Sequence, residues 1–175
     1  MKISIVIPVH NSAEIIETLI KNIKFSLNKK LSNKFEIILA NDCCIDKSWF
    51  SIRKLSKKYS FIKGIDLKNN VGQYAAIFVG LKFSKGEKII VMDDDLQHLP
   101  SSLISIYNKL KDFDTCYTLY LKRKHIFYKI LVSNINNFFS SFIFNKPHKI
   151  YLSSFKGFSS EVKNKFIKFR SQIVF

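Results

Sequence analysis

Apolar and polar positions change period along this 175-residue chain in a regular way. Short apolar-rich runs at Ile3–Val9, Phe35–Ala40, Phe61–Asp66 and Lys88–Met92 alternate with stretches in which apolar residues return every three or four positions. Runs of this length read as strands buried on both faces, and the spaced stretches read as amphipathic helices. Ile16, Leu19, Ile20, Ile23 and Leu27 follow the first strand, and Trp49, Ile52, Leu55 and Tyr59 follow the second. Gln73–Phe83 follows the third, with Ala75, Ala76 and Gly80 small enough for close packing. Leu103, Ile106, Tyr107 and Leu110 follow the fourth. The boundaries carry their own signals. Asn11 with Glu14 predicts a capping box, Asp46 caps a second helix running through Lys58, Gly86 ends the third, and Pro100 and Ser101 open the fourth. Thr115–Leu121 reads as a fifth strand. This alternation predicts an α/β fold: a mostly parallel, doubly wound sheet with helices on both faces. No repeat or linker divides it, so residues 1–175 read as a single domain.

After Leu121 the pattern changes. Lys122, Arg123, Lys124 and His125 lead into a long amphipathic stretch, Phe127 to Phe144, with apolar positions at Phe127, Leu131, Ile135, Phe138 and Phe142. Two readings stand: an ordinary packing helix, or one lying in a membrane interface with its flanking lysines against acidic lipid. Lys149–Leu152 reads as a short strand and the stretch from about Ser160 to Phe169 as a last helix. The ending, Ser171 to Phe175, carries neither cap nor polar tail and reads as cut off.

Charge adds a direction. The formal net charge is +16, and it is uneven: 16 Lys and Arg stand against 10 Asp and Glu through Asp95, and 13 against 3 beyond it. The carboxyl-terminal portion is therefore suited to an anionic partner. The cations of the whole chain are nearly all Lys; only Arg53, Arg123 and Arg170 offer guanidinium forks. Base readout relies on Arg, and no nucleic-acid recognition motif is present, so nucleic acid is not the expected partner. Cys43, Cys44 and Cys116 are odd in number and lack zinc spacing, which reads as a reduced, cytosolic chain. The first apolar run is too short for a signal peptide. The longest uncharged stretch, Ile130–Phe144, is shorter than the ~20 residues a spanning helix needs.

Candidate chemistry gathers at the strand ends. Asp93, Asp94 and Asp95 follow the fourth strand, where open α/β sheets bind ligands. Three adjacent carboxylates repel one another, and a divalent cation carrying a phosphorylated ligand would relieve that repulsion. An acidic, solvated loop is the plain alternative. His10, Asn11 and Ser12 end the first strand, and Asn41 and Asp42 the second, so the polar groups converge on one crevice. Asp42 suits a bond to a base or ribose, or else simply forms a turn. The chain has neither Gly-x-Gly-x-x-Gly nor Gly-Lys-Ser/Thr, which argues against dinucleotide redox and P-loop chemistry. An aspartyl-phosphate site is disfavoured too, since position 97 is Gln and three strands precede the acids.

Taken in order, these motifs resemble a known family. Pro8-Val-His-Asn11, Asn41-Asp42 with Asp46, Asn70-Val-Gly72-Gln, and Met92-Asp-Asp-Asp95-Leu-Gln97 with Pro100 are similar to family 2 glycosyltransferases of the GT-A fold. They are most similar to the polyprenyl- and dolichyl-phosphate sugar transferases. The resemblance covers roughly residues 3 to 100, and more weakly Ser154-Phe155-Lys156. It implies transfer of a sugar, with inversion at the anomeric carbon, from a nucleotide-diphosphate donor to a polyprenyl phosphate or cell-envelope glycan. It also implies Mg²⁺ or Mn²⁺ as cofactor. Pro8, His10, Ser12, Asp42, Asp93, Asp94 and Lys156 would contact the nucleotide sugar. Asp93, Asp95 and Gln97 would hold the metal, with Asp95 catalytic and Arg123 a further source of positive charge. Residues 1–100 would form the nucleotide-sugar and metal-binding half, and 101–175 the half facing the acceptor and membrane.

This sequence departs from the family pattern at four places. Ser12 stands where Glu is usual, His10 for Tyr, Cys43-Cys44 for a Gly/Ser pair, and Asp94 for a small residue. The acids also bear on the acceptor. After Asp95 only Asp112, Asp114 and Glu161 remain, whereas a sugar hydroxyl acceptor needs a positioned general base. A lipid monophosphate is already ionised and needs none. With the basic, Phe-rich end of the chain, this predicts a polyprenyl-phosphate acceptor and a peripheral, cytoplasmic position at an anionic membrane surface. A member that binds nucleotide or membrane without turnover is the alternative.

Overall fold

The computed structural model describes residues 1–32, 34–99, 101–118 and 153–173. The chain divides into two compact units, Met1–Cys116 with Ser154–Phe175, and Tyr117–Ser153. Of the second unit only Tyr117, Thr118 and Ser153 are described; there the Thr118 hydroxyl donates to Ser153 Oγ at 3.2 Å. Arg123, the Phe127–Phe144 stretch and the expected strand at Lys149–Leu152 lie outside the described residues.

Elements of the first unit follow the predicted alternation: β1 Ile3–Val9, α1 Ile16–Leu31, β2 Phe35–Asn41, α2 Ser48–Lys58, β3 Ile62–Asp66, α3 Gln73–Phe83, β4 Lys88–Val91 and α4 Ser101–Lys109. Then come β5 Thr115–Tyr117, β6 Lys156–Ser159 and α5 Ser160–Ile173. The sheet has six strands in the order β3-β2-β1-β4-β6-β5. β1 pairs in parallel with both β2 and β4, and β2 with β3. β6 is antiparallel to β4, with Val91 opposite Lys156.

Strand alternation sorts the core into two layers. Ile3, Ile5, Ile7, Phe35, Ile37, Leu39 and Ile90 pack with α1, α2 and α4 residues such as Leu19, Ile23, Ile52 and Leu103. Val6, Ile38, Ile89 and Val91 face the other way, against Ile77 and Leu81 of α3 and Ile167 of α5. Both faces are thus covered, and every residue of β1 and β2 is buried. Burying each such aliphatic side chain contributes roughly 1.5–3 kcal/mol, so this pair of strands anchors the unit. At Gly80 a Cβ would come within 2.5 Å of Val6 Cγ1, which explains why α3 carries small residues on its inner side.

Two expectations are corrected, and one strand was not expected. Asn11 does not cap α1: the helix begins at Ile16 with no side-chain cap, and the Ser12 carbonyl accepts the Ile15 and Ile16 N–H groups instead. Asn11 takes a left-handed backbone (φ 54), and its Oδ1 accepts the Ile45 N–H at 3.2 Å. Gly86 is not a helix terminator. α3 ends at an extended Ser84, and a Cβ on Gly86 would meet Ser4 N at 2.4 Å, so the requirement is close backbone approach. Finally, β6 carries no apolar run long enough to read as a strand; it forms by pairing with β4. Asp46 does bond the Ser48 N–H at the start of α2, at 2.9 Å, although the cap position itself is Lys47.

Candidate active site

The carboxyl ends of β1, β2 and β4 open on one cavity of about 410 Å³, lined by Pro8, Val9, His10, Asp42, Asn70, Gly72, Gln73, Asp93, Asp94 and Asp95. Parallel pairing of β1 with its two neighbours places these ends side by side, because each strand enters from the same edge and runs out of apolar residues at the same level. Of the residues expected at a nucleotide sugar, Pro8, His10, Asp42, Asp93 and Asp94 line this cavity. Ser12 lies just behind it, bonded to Asp94, and Lys156 sits at the start of β6 opposite Val91.

Each of the three carboxylates has its own partners. Asp93 is half-buried. Its Oδ1 accepts from Gln73 Nε2 at 2.6 Å, and its Oδ2 from the Ser154 hydroxyl at 2.5 Å, with His98 Nε2 at 3.5 Å. Burial pushes the Asp93 carboxyl up, but the bonds from His98, Ser154 and Gln73 outweigh it and hold the group below the usual carboxylate range. Asp94 turns the other way, accepting the His10 N–H at 3.0 Å and the Ser12 hydroxyl. Asp95 is exposed, and its Oδ1 accepts only the Gln97 N–H at 3.0 Å among the described residues. Hydrogen-bond donors therefore relieve the repulsion for two of the acids and leave one to solvent.

Asp42 is 4 % exposed, and its two oxygens accept the Val71 and Gly72 N–H groups at 2.8 and 3.0 Å. It fixes the loop that starts α3, where Gly72 adopts φ +84, a conformation that favours glycine. Lys156 is half-buried; burial lowers its pKa, and the Asp93 charge opposes that shift. Gln73, Asn70, Ser154 and His98 were not singled out as site residues from the sequence. Gln73 is the first residue of α3, a position from which a long amide reaches the crevice. His98 carried no such signal. It is 4 % exposed and packed against Phe155, a neighbour that only the fold supplies, with ring centroids 4.5 Å apart and the planes tilted by 31°.

The metal expectation meets a specific geometry. Among the described residues no group of three His, Cys, Asp or Glu side chains stands together as a metal cage. Asp93 has both oxygens engaged by protein donors, whereas Asp95 and Gln97 are exposed. This donor set fits a hard cation of the Mg²⁺ kind, which takes one or two carboxylates and fills its shell with ligand phosphates and water.

Comparison with known proteins agrees with this architecture. The family described as Glycosyl transferase family 2 matches residues 4–166. A dolichol-phosphate mannosyltransferase of Pyrococcus furiosus is 32% identical over 112 residues, covering 64% of this chain and 31% of its own. An undecaprenyl-phosphate 4-deoxy-4-formamido-L-arabinose transferase of Salmonella choleraesuis is 34% identical over 138 residues, 78% of this chain and 42% of its own. The chain thus spans between 31% and 42% of the length of these relatives. Among solved structures, a mannosyltransferase from Pyrobaculum calidifontis in complex with GDP-Man and Mn²⁺ superposes with TM-score 0.69 at 17% identity, over 94% of this chain and 46% of that one. Glucosyl-3-phosphoglycerate synthase from Mycobacterium tuberculosis superposes with TM-score 0.71 at 16% identity, over 92% and 57%. The sheet order, the crevice at its carboxyl edge and the family match agree: this chain belongs to glycosyl transferase family 2 and has its GT-A fold.

Proposed function

We propose that the chain transfers a sugar from a nucleotide-diphosphate donor to a polyprenyl phosphate or cell-envelope glycan, with inversion, and with Mg²⁺ or Mn²⁺ as cofactor. The observation that carries this reading is the cavity at the carboxyl edge, where an exposed Asp95 has one contact among the described residues, from its own loop. The base and ribose would lie along Pro8, His10 and Asp42, on the side of the crevice formed by β1 and β2. Asp95, with Gln97 near it, would hold the cation. A cation bound there would neutralise the diphosphate as the bond from the anomeric carbon to the leaving phosphate oxygen breaks. Lys156 adds positive charge at the β6 side of the same edge. Asp93, bonded to Gln73 at the start of α3 and to Ser154 just before β6, would face the donor and its cation from the same edge.

The acceptor follows from the acids. Asp112 and Asp114 are exposed near the turn after α4, and Glu161 is paired with Lys165 at 2.7 Å. None of them is placed as a base at the cavity. A phosphate monoester arrives ionised and attacks without one, so a polyprenyl phosphate is the favoured acceptor. The basic carboxyl-terminal portion, 13 Lys and Arg against 3 acids, suits a peripheral position at the anionic inner face of a membrane. No helix among the described residues is long and apolar enough to cross one.

Thermal melting with UDP-, GDP- and dTDP-sugars, each with and without Mn²⁺, tests the reading. One donor should raise the melting temperature only when the metal is present, and Asp95→Ala should abolish that rise. No metal-dependent rise with any of these donors would sink it. A second reading, a member that binds nucleotide without turnover, is favoured by one observation: Asp93 and Asp94 are both engaged by protein donors. Binding without transfer to either acceptor class would select it.

A further inference from the structure

Asp94 is the acid that stands where the family pattern has a small residue, and it ties two loops together at the cavity. Its Oδ2 accepts two hydrogen bonds, from the His10 backbone N–H at 3.0 Å and from the Ser12 hydroxyl. Ser12 is 7 % exposed, so this hydroxyl has little access to water in exchange. A carboxylate acceptor makes both bonds charge-assisted, the stronger class. The rest of the β1–α1 loop is tied in the opposite direction. The Asn11 N–H points to Cys44 Sγ at 3.1 Å, the Ser12 N–H to Ser48 Oγ at 2.8 Å, and the Ala13 N–H to Asp46 Oδ2 at 3.0 Å. Those partners all belong to the β2–α2 connection and the first turn of α2. Asp94 supplies the matching tie from the end of β4. His10, which lines the cavity, therefore has its backbone clamped between two neighbouring strand ends.

We infer that Asp94 is a positioning residue for the donor: through the His10 N–H and the Ser12 hydroxyl it fixes where the His10 imidazole stands at the cavity. Ser12 is its matched half. A short hydroxyl on one loop meets a carboxylate on the other, and the pair sits at two of the four places where this sequence departs from its family's pattern. The carboxylate is turned to two donors of the β1–α1 loop, so its charge strengthens those bonds. This inference rests on the nucleotide-sugar reading above. It adds a dependence on residues 12 and 94 as a pair.

Titration calorimetry on the full chain with UDP and GDP in the presence of Mn²⁺ tests it, alongside the ligand-free melting temperature of every variant. Asp94→Ala leaves the His10 N–H without its acceptor and the Ser12 hydroxyl with only the His10 carbonyl at 3.3 Å, and should weaken nucleotide binding by about tenfold. Asp94→Asn keeps a carbonyl acceptor and should recover most of that loss. Ser12→Glu alone sets two carboxylates against each other and should bind poorly. Ser12→Glu combined with Asp94→Ala returns a single carboxylate to the same gap and should bind within about threefold of the unsubstituted chain. A purely structural role for Asp94 would lower ligand-free stability without this reciprocal recovery. If Asp94→Ala fails to fold, Ser12→Ala, which removes one of the two bonds, decides: weakened binding supports the inference and unchanged binding overturns it. An unsubstituted chain that binds neither nucleotide defeats the donor reading itself. One that binds while Asp94→Ala binds as tightly defeats only the role of Asp94.

Discussion

At the amino edge of the sheet a carboxylate is enclosed by donors; at the carboxyl edge, a few residues past β4, one is left open. Glu36 is 6 % exposed and receives the Ser4 hydroxyl and the Lys85 N–H, each at 2.6 Å, while the Gly86 N–H donates to Ser4 Oγ at 2.7 Å. That network ties β1, β2 and the α3–β4 connection. Asp95 has one contact among the described residues, from its own loop. The same chemical group becomes a staple or a ligand according to how many donors the surrounding backbone delivers. Asp93 and Asp94 lie between these extremes, engaged by the protein yet facing the cavity.

The comparison can be broken from either side. The largest effect on the folded state is expected at the amino edge. Gly86→Ala forces a Cβ against Ser4 N and should cost about 3 kcal/mol, the upper range for overpacking, seen as a melting temperature lower by several degrees. Glu36→Ala comes next. It strands the Ser4 hydroxyl and the Lys85 N–H, and should cost about 2 kcal/mol in urea unfolding while nucleotide binding is retained. A loss of binding larger than the loss of stability would show that the two edges are not separable.

A smaller, pH-dependent effect is expected at Asp93. Its folded-state pKa is depressed, so its contribution is fully present above the unfolded value near 3.9 and is lost as pH falls through the folded one. Between about pH 4 and pH 2 the unsubstituted chain should therefore lose stability more steeply than Asp93→Asn. Parallel curves would mean that the Gln73, Ser154 and His98 contacts add nothing to its ionised form. The smallest effect on stability sharpens the comparison most. Asp95→Ala should change unfolding by less than about 0.5 kcal/mol, as surface substitutions do, and yet remove the Mn²⁺-dependent stabilisation by nucleotide sugar.

Much of this was legible in the sequence because period and burial coincide in the first hundred residues. Ile3–Val9 and Gln73–Phe83 match their elements end for end, since an unbroken apolar run and a small-residue helix leave few alternatives. The convergence of His10, Asp42 and Asp93 was also readable, because parallel strands bring like ends together. Hydrogen-bond partners were not. Asn11 and Glu14 make a plausible capping box locally, but the Ile45 N–H competes for the Asn11 side chain, and a partner so distant leaves no trace in local spacing. β6 escaped for the same reason: Lys156–Ser159 is a strand because β4 presents an edge to it. The fan of the three acids depended on Gln73, Ser154 and Ser12, drawn from three separate parts of the chain.

One junction has an entropic consequence. β5 and β6 are neighbours in the sheet, and Thr118 and Ser153 hydrogen-bond to each other where the chain leaves one strand and returns to the other. Closing a connection between such fixed points costs entropy that grows only with the logarithm of its length. Changes in the number of residues between those two positions should therefore cost little in closure entropy.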